Sequence, residues 1–104
     1  MITSTTEQIP NRQVTEILGV VIGNTIRSRN IGSDFLAGLR NIVGGEVTQY
    51  TSLMSDARDE ALQRMEQEAE QLRAHAIVGV RLTTSQITQG AAEIVAYGTA
   101  VKLR

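Results

Sequence analysis

The sequence predicts a small α+β domain in which one β-sheet is covered on one face by a long helix. Three observations predict this class: an unbroken aliphatic run at residues 17–22, a helical apolar stripe over residues 51–74, and two strand-like segments, 76–82 and 93–103, after the stripe. A helix packed across a sheet buries the apolar sides of all these elements. The chain order further predicts a parallel strand–helix–strand unit with a right-handed crossover, followed by an antiparallel hairpin.

The first strands are indicated by β-branched and aliphatic runs. Residues 2–6 form such a run, and Pro10 and Asn11 then end it as a turn. The run at residues 17–22 contains no polar residue, which predicts a strand buried on both faces. Gly19 and Gly23 would let another backbone approach closely.

Two helices are predicted to follow. The first is short, over residues 33–43, because Ser33 or Asp34 can cap it and Gly44 and Gly45 stop it. The second covers residues 51–74, where apolar side chains recur every three or four positions and form one stripe. The stripe consists of Leu53 or Met54, Ala57, Ala61, Met65, Ala69 and Leu72.

The last two strands are predicted at residues 76–82 and 93–103, joined by a polar, glycine-containing connection over residues 83–92. Alternation places Val78, Val80 and Leu82 on one face of the first of these strands. In the second strand, alternation assigns one face to the core and leaves small residues on the other. The core face is predicted to hold Val95, Tyr97, Thr99, Val101 and Leu103, and the small face Ala96, Gly98 and Ala100.

The length and the core composition predict one self-associating domain. A chain of 104 residues is expected to form a single domain over residues 1–104. Its aromatic residues are one Phe and two Tyr, so the core must be built from aliphatic side chains and Ala. A thin core of this kind would gain from burial between subunits, so the chain itself is the expected partner.

Charge and composition exclude several function classes. Ten basic and eleven acidic residues nearly cancel, so no strong field would attract nucleic acid or an anionic membrane. The absence of cysteine excludes disulfides, thiolate metal sites and cysteine nucleophiles. No apolar run approaches the ~18 residues that indicate a membrane-spanning helix, so no such helix is expected. The N-terminal stretch lacks the basic and apolar regions of a signal peptide, so a cytoplasmic protein is expected.

Several motifs together resemble the YbjQ-like family of small bacterial proteins. They are LGVVIGNTIRSRNIG, LAGLRNIVGGE, YTSLMSDARDEALQRM, AIVGVRL and AEIVAYGTAV, in the family's order and at its spacing over residues 2–101. The resemblance implies a dodecin-like α+β subunit that assembles into a pentameric ring or a pair of rings, with short extra strands that bridge neighbours. It also implies a heavy-metal-binding role. We expect no cofactor, and the alternative is a bound divalent metal ion.

The chain holds a single histidine, His75, between the predicted long helix and the next strand. The family usually reads Leu-Gly-Ala-Asn/Asp-Ala here, so Arg73 stands in place of a helix-ending Gly and His75 in place of Asn or Asp. Since Asn, Asp and His all tolerate turn conformations, His75 is expected to end the helix. The alternative is a metal ligand, which would need several copies of His75 around a symmetry axis.

Arg27 and Arg29 form the second candidate site. They precede the start of the predicted short helix, and guanidinium groups together with free backbone N–H groups suit a small anion such as phosphate or a carboxylate. The alternative is that both arginines pair with carboxylates of a neighbouring subunit.

An enzyme is not expected. One His and no Cys leave no interpretable catalytic triad, and IVGGEV lacks the Lys-Ser/Thr of a phosphate-binding loop. Tyr97 could donate a proton but lies on the face assigned to the core. Glu93 opens the last strand, and the alternative to a functional carboxylate there is an edge charge that deters aggregation. Three functions stay open: a non-enzymatic self-assembling domain, which leads, a heavy-metal or other cation binder at intersubunit sites, and an anion binder near Arg27 and Arg29.

Overall fold

One mixed four-stranded sheet with a helix on one face forms the structure, a computed structural model that describes residues 1–28, 48–88 and 91–104. The strand order is β1-β3-β4-β2, so β2 and β1 lie at the two edges. This arrangement confirms the α+β class. The predicted short helix over residues 33–43 lies outside the described residues. The elements are β1 Ile2–Thr3, β2 Val14–Ser28, α1 Thr48–Gln71, β3 Ala76–Thr88 and β4 Ala91–Leu103.

The directions of the strands agree with the prediction. Both β2 and β3 pair antiparallel with β4, so β2 and β3 run parallel to each other with β4 between them. The β3–β4 hairpin is confirmed, but its strands are longer than expected. Most of the predicted connection over residues 83–92 is strand, because its Thr-rich sequence suits a pleated surface and pairs in register, with Thr83 opposite Val95 and Thr84 opposite Ile94.

The helix packs through a row of small side chains. Ala57, Ala61, Met65 and Ala69 are fully buried, which confirms the predicted stripe. The helix begins at Thr48, three residues before the predicted start, and ends at Gln71, so Leu72 lies beyond it and is 41% exposed. The buried residues that share this core are Val21, Ile77, Val80, Ile94, Ala96 and Ala100. In the described part of the chain, no helix is long and apolar enough to cross a membrane.

Arg73 ends the helix. Its φ of 60° is left-handed, its N–H donates to the Glu70 carbonyl at 2.9 Å, and the Ala74 N–H donates to the Ala69 carbonyl at 3.1 Å. These two bonds are those of a Schellman C-cap, in which glycine is the usual left-handed residue. The helix-ending role expected of His75 therefore belongs to Arg73, and His75 begins the approach to β3.

A bulge in β3 overturns one predicted face. Gly79 has a φ of 62°, and the pairing with β4 shifts between Val78 and Arg81. The extra residue restarts the alternation, as a bulge requires. Ile77 and Val80 therefore both join the core under the helix, whereas Val78 lies in a cluster on the other face.

The prediction for β4 is confirmed for Val101 and Leu103, which are buried, but it assigned the core beneath the helix to the wrong face. Ala96 and Ala100 are fully buried under the helix side of the sheet, whereas Tyr97 is 40% exposed on the opposite side. The reason is the short distance between helix and sheet. A Cβ added to Gly23 of β2 would lie 2.1 Å from the Ala61 carbonyl oxygen of the helix, so only small side chains fit between the layers.

The described residues cover the face opposite the helix at one end only. There Ala76, Val78, Val101 and Leu103 form a second buried cluster, against which Ile9 and Val14 pack. The N-terminal segment that supplies Ile9 follows β1, which pairs with β3 at Ala76 and Ile77.

Candidate functional site

The sheet face opposite the helix exposes a group of large apolar side chains beyond the second cluster. On β2, Ile17, Val20, Ile22 and Ile26 are 71%, 65%, 50% and 54% exposed, and Tyr97 of β4 lies opposite Ile22. We call these five residues the open face. A contiguous apolar surface of this kind is uncommon on a monomeric protein and marks an interaction site.

The open face corrects the prediction that β2 is buried on both sides. Val21 and Thr25, which point toward the helix, are 0% and 1% exposed, and the Thr25 hydroxyl donates to the Ala57 carbonyl at 3.0 Å. The neighbouring positions Val20 and Ile22 point the other way and are exposed. Alternation in a strand explains the difference, because the described residues supply a covering layer on one side only.

Two sheet edges adjoin the open face. Among the described strands, β2 pairs with β4 alone, so one side of its backbone has no strand beside it. The other edge is the second half of β3. Its first half is covered by β1 and by bonds from Gly79 and Val80 to Thr6 and Ser4, but the side chains of residues 81–86 are all exposed.

A polar pair lies at one end of the open face. Asn24 Nδ2 donates to Glu93 Oε2 at 3.2 Å, and Glu93 lies opposite Ile26 on the neighbouring strand. The pair therefore sits beside the exposed Ile22 and Ile26 side chains of β2.

Arg81 lies on the β3 side of the same face, level with Ile22 near the middle of that face. It is opposite Tyr97, and its Nη1 donates to the carbonyls of Thr5 at 3.0 Å and Val80 at 2.8 Å. Arg81 and Asn24 were missed by the sequence reasoning. A lone charge in the aliphatic strand AIVGVRL was the available signal for Arg81.

A groove runs between the N-terminal segment and the sheet, next to Arg81. Residues 5–14 form one wall, and the sheet supplies Ile17, Val78, Thr99 and Val101. The groove is open to solvent and continuous with the open face through Ile17.

Arg27 of β2 forms an ion pair with the helix of the same chain. Its Nη2 lies 2.5 Å from Glu60 Oε2, and Arg64 Nη2 lies 2.5 Å from the other oxygen of Glu60. The hydrogen bond from Arg27 lowers the pKa of Glu60, and the positive charges of Arg64 and Arg27 add to this effect against some desolvation. Arg64 Nη1 also donates to the Asn24 carbonyl at 2.6 Å. The cluster therefore ties the edge strand to the helix. Arg29 lies outside the described residues.

His75 is held by the last strand. Its Nδ1 accepts a hydrogen bond from the Leu103 N–H at 2.9 Å, and its own N–H donates to the Val101 carbonyl at 2.9 Å. An acceptor at Nδ1 puts the proton of the neutral ring on Nε2. Metal binding at Nε2 would move that proton to Nδ1 and break the bond to Leu103. Within the described ranges no three His, Cys, Asp or Glu side chains come together as a metal site.

The whole chain matches a family model described as "putative heavy-metal-binding", over residues 1–104. A UPF0145 protein from Archaeoglobus fulgidus is 61% identical over 104 residues, covering 100% of this chain and 96% of that protein. A UPF0145 protein from Vibrio campbellii is 56% identical over 103 residues, covering 99% of each chain. Relatives thus occur in archaea as well as bacteria, and the expectation of a bacterial family was too narrow.

The fold also has a solved counterpart. A crystal structure of a protein of unknown function in the DUF74 family, from Pediococcus pentosaceus, matches with a TM-score of 0.67 and 17% identity. The match covers 100% of this chain and 98% of that one, and it supports the fold. The family model and the relatives confirm the resemblance seen in the sequence motifs: the chain belongs to the YbjQ family of UPF0145 proteins.

Proposed function

We propose that this chain is a cytoplasmic, non-enzymatic domain that assembles with copies of itself into a closed symmetric ring. The observation that carries the proposal is the open face, where four aliphatic side chains of one strand are at least half exposed. The composition supports a non-enzymatic role, because one His and no Cys leave few groups for catalysis.

Burial of the open face would contribute favourable free energy to association. Full burial of a Val or Ile side chain contributes about 1.5–3 kcal/mol. Covering the exposed parts of Ile17, Val20, Ile22 and Ile26 would therefore contribute on the order of 5 kcal/mol per copy. A second copy of the chain is the occupant that we propose, because the same sheet offers edges for it to pair with.

The two edges that the described strands leave without a partner favour a ring over a two-fold dimer. They belong to different strands, β2 on one side and the second half of β3 on the other. Pairing between unlike edges is head-to-tail, and such contacts close into rings when the rotation allows. Because β2 and β3 run in the same direction, a continuous sheet would pair them in parallel. Five copies in a ring, or two such rings, is the dodecin-like assembly that the family resemblance implies.

The edge sequences support pairing as well. Natural sheets protect free edges with Pro, Lys or inward-pointing charges. Between Glu16 and Arg27, the run ILGVVIGNTI of β2 contains no Pro and no charged residue, and TTSQIT in β3 carries no charge. Edges without this protection are expected where a partner strand covers them.

Light scattering or native mass spectrometry of the purified protein tests the proposal. We expect five or ten times the chain mass of 11.3 kDa at micromolar concentration. Val20→Arg places a charge in the open face and should give monomers, whereas Gln63→Arg on the exposed helix surface should leave the assembly intact. A wild-type monomer under these conditions would contradict the proposal.

Metal binding is the second candidate, supported by the description of the family. Since the described part of one chain groups no three ligands, we propose that such a site is built between copies. Elemental analysis of the purified assembly tests this role, and His75→Asn tests whether the imidazole takes part. Anion binding near Arg27 and Arg29 is a weaker candidate, because an anion would have to compete with Glu60 for Arg27.

A further inference from the structure

We infer that Arg81 of one copy forms an ion pair with Glu93 of the neighbouring copy, and that this pair sets how neighbours are placed. The inference rests on the proposed self-assembly and identifies its specific contact. It depends on the position, the orientation and the surroundings of the two side chains.

Arg81 and Glu93 are the charged residues among the described strand positions that face away from the helix. The register places Arg81 level with Tyr97 and Ile22, and Glu93 level with Ile26. The other charged residues of the described strands belong to the helix side, as Arg27 does through its pair with Glu60. One positive and one negative group on an otherwise apolar and neutral face make that face complementary to a second copy of itself.

The two groups are too far apart to satisfy each other within one chain. Tyr97, which is opposite Arg81, lies four residues from Glu93 along β4, a separation of roughly 13 Å at 3.3 Å per residue. The guanidinium is also held toward the N-terminal segment by its bond to the Thr5 carbonyl. A direct ion pair therefore requires a second chain.

Arg81 has donors left for a carboxylate. Both of its described hydrogen bonds, to the carbonyls of Thr5 and Val80, use Nη1. A guanidinium has five N–H donors, and the edge formed by Nε and Nη2 matches a carboxylate with two parallel bonds. Among the described residues, that edge donates no hydrogen bond, so it is ready to receive a carboxylate from outside the chain.

Glu93 needs a positive partner once the open face is covered. Asn24 holds Oε2 at 3.2 Å, and no described residue bonds to Oε1. Burial of a carboxylate without a positive partner is costly, so a neighbour that covered Ile22 and Ile26 without a cation near Glu93 would be disfavoured. The charge thereby selects one placement of the neighbour over others of similar apolar contact.

The proposed edge pairing can bring these groups together. Closing a sheet into a ring requires a fixed stagger between neighbouring strands. With β3 of one copy beside β2 of the next, a stagger of four residues would set Arg81 level with Ile26, which is opposite Glu93. The long Arg side chain would then reach over Ile26 to the carboxylate.

A charge swap tests the inference, with the assembly of each full-length variant measured by native mass spectrometry over a dilution series. Arg81→Glu and Glu93→Arg should each raise the dissociation constant of the assembly at least tenfold. The double variant with both changes should return to within about threefold of the wild type. Glu68→Arg, a charge reversal on the exposed helix surface, is the matched control and should leave assembly unchanged.

The outcomes separate this inference from the proposed function. A wild type that does not assemble contradicts the self-assembly. If the wild type assembles, two results would overturn the ion pair alone. One is that the single variants assemble as the wild type does, and the other is that the double variant assembles no better than the single variants. Circular dichroism checks that each variant folds, and Glu93→Gln, which keeps the acceptor for Asn24, should still weaken assembly. A further outcome would assign Arg81 to a small anion and also overturn the inference. In that outcome inorganic phosphate stabilises the wild type but not Arg81→Glu, and the double variant does not regain wild-type assembly.

Discussion

The two sides of β2 differ sharply although they belong to the same strand. Toward the helix the strand presents Val21, Gly23 and Thr25, which are buried, and on the other side it presents Val20 and Ile22, which are exposed. The helix lies so close that the side chains between the layers must be small. The larger aliphatic side chains are therefore placed where the described part of the chain does not cover them. The comparison teaches that the apolar content of a strand does not reveal which side the core uses.

Gly23→Ala should have the largest effect on the free energy of unfolding, because it disrupts the packing of β2 against the helix. The new Cβ would lie 2.1 Å from the Ala61 carbonyl oxygen and 2.3 Å from the Met65 amide nitrogen, both helix backbone atoms. The helix must move away from the sheet, and we expect a loss of about 3 kcal/mol or more in the free energy of unfolding. Urea denaturation at fixed protein concentration measures it. A loss below about 1 kcal/mol would show that the layers are not packed so closely.

The same substitution on adjacent residues sharpens the comparison. Val21→Thr puts a hydroxyl into the core at a fully buried position, whereas Ile22→Thr puts it on the open face. We expect Val21→Thr to cost about 1–3 kcal/mol in the free energy of unfolding. In a subunit kept monomeric by Val20→Arg, the matched open-face change is Ile22→Thr, and there we expect about 0.5 kcal/mol or less. Equal effects on both sides would remove the distinction between them.

Arg73→Gly probes the C-terminal end of the helix that packs on the sheet. The left-handed φ of 60° disfavours a side chain and suits glycine. We expect the glycine variant to be more stable by roughly 0.5–1 kcal/mol, the usual size of relieved backbone strain at a C-cap. Thermal unfolding measures the change, and Arg73→Ala, which removes the side chain but keeps the strain, is the control. A glycine variant no more stable than the alanine variant would contradict the strain argument.

Glu60→Gln should have the smallest effect and tests the ion pairs that join the edge strand to the helix. The pKa of folded Glu60 is lowered from its ordinary value of 4.5, so its contribution to stability is present above that value and is lost as the pH falls through the lowered pKa. The free energy of unfolding of the wild type should therefore exceed that of the variant at neutral pH, and this difference should vanish in acid. Denaturation at several pH values measures it. A difference that persists at low pH would exclude the carboxylate as its cause.

The secondary structure was predictable where periodicity is long and unambiguous. The stripe from Ala57 to Ala69 predicted the helix within three residues at each end, because the spacing of apolar residues along a helix follows directly from its geometry. The parallel direction of β2 and β3 also followed from chain order. The extension of β3 and β4 through residues 83–88 and 91–92 did not, since Thr and Ser suit both loops and exposed strands.

The candidate site was less predictable. His75 and Arg27 were chosen for their chemistry, and in the structure each is bonded within its own chain, to Leu103 and Glu60. Asn24 and Arg81 were passed over because the family motifs in which they lie carry no recognisable catalytic or ligand-binding pattern. Only the strand register places Arg81 on the same face as Glu93, and no local sequence signal reports that register.

The sequence by itself determined the α+β class, the long helix, the direction of the strands and, through its motifs, the family. These properties depend on local periodicity and chain order. The tertiary structure decided which face of each strand meets the helix, because both faces of β2 and β4 are apolar or small and the bulge at Gly79 reverses the alternation in β3. The choice depends on how closely two backbones can approach, and that distance is set by residues far apart in the chain, such as Gly23 and Ala61.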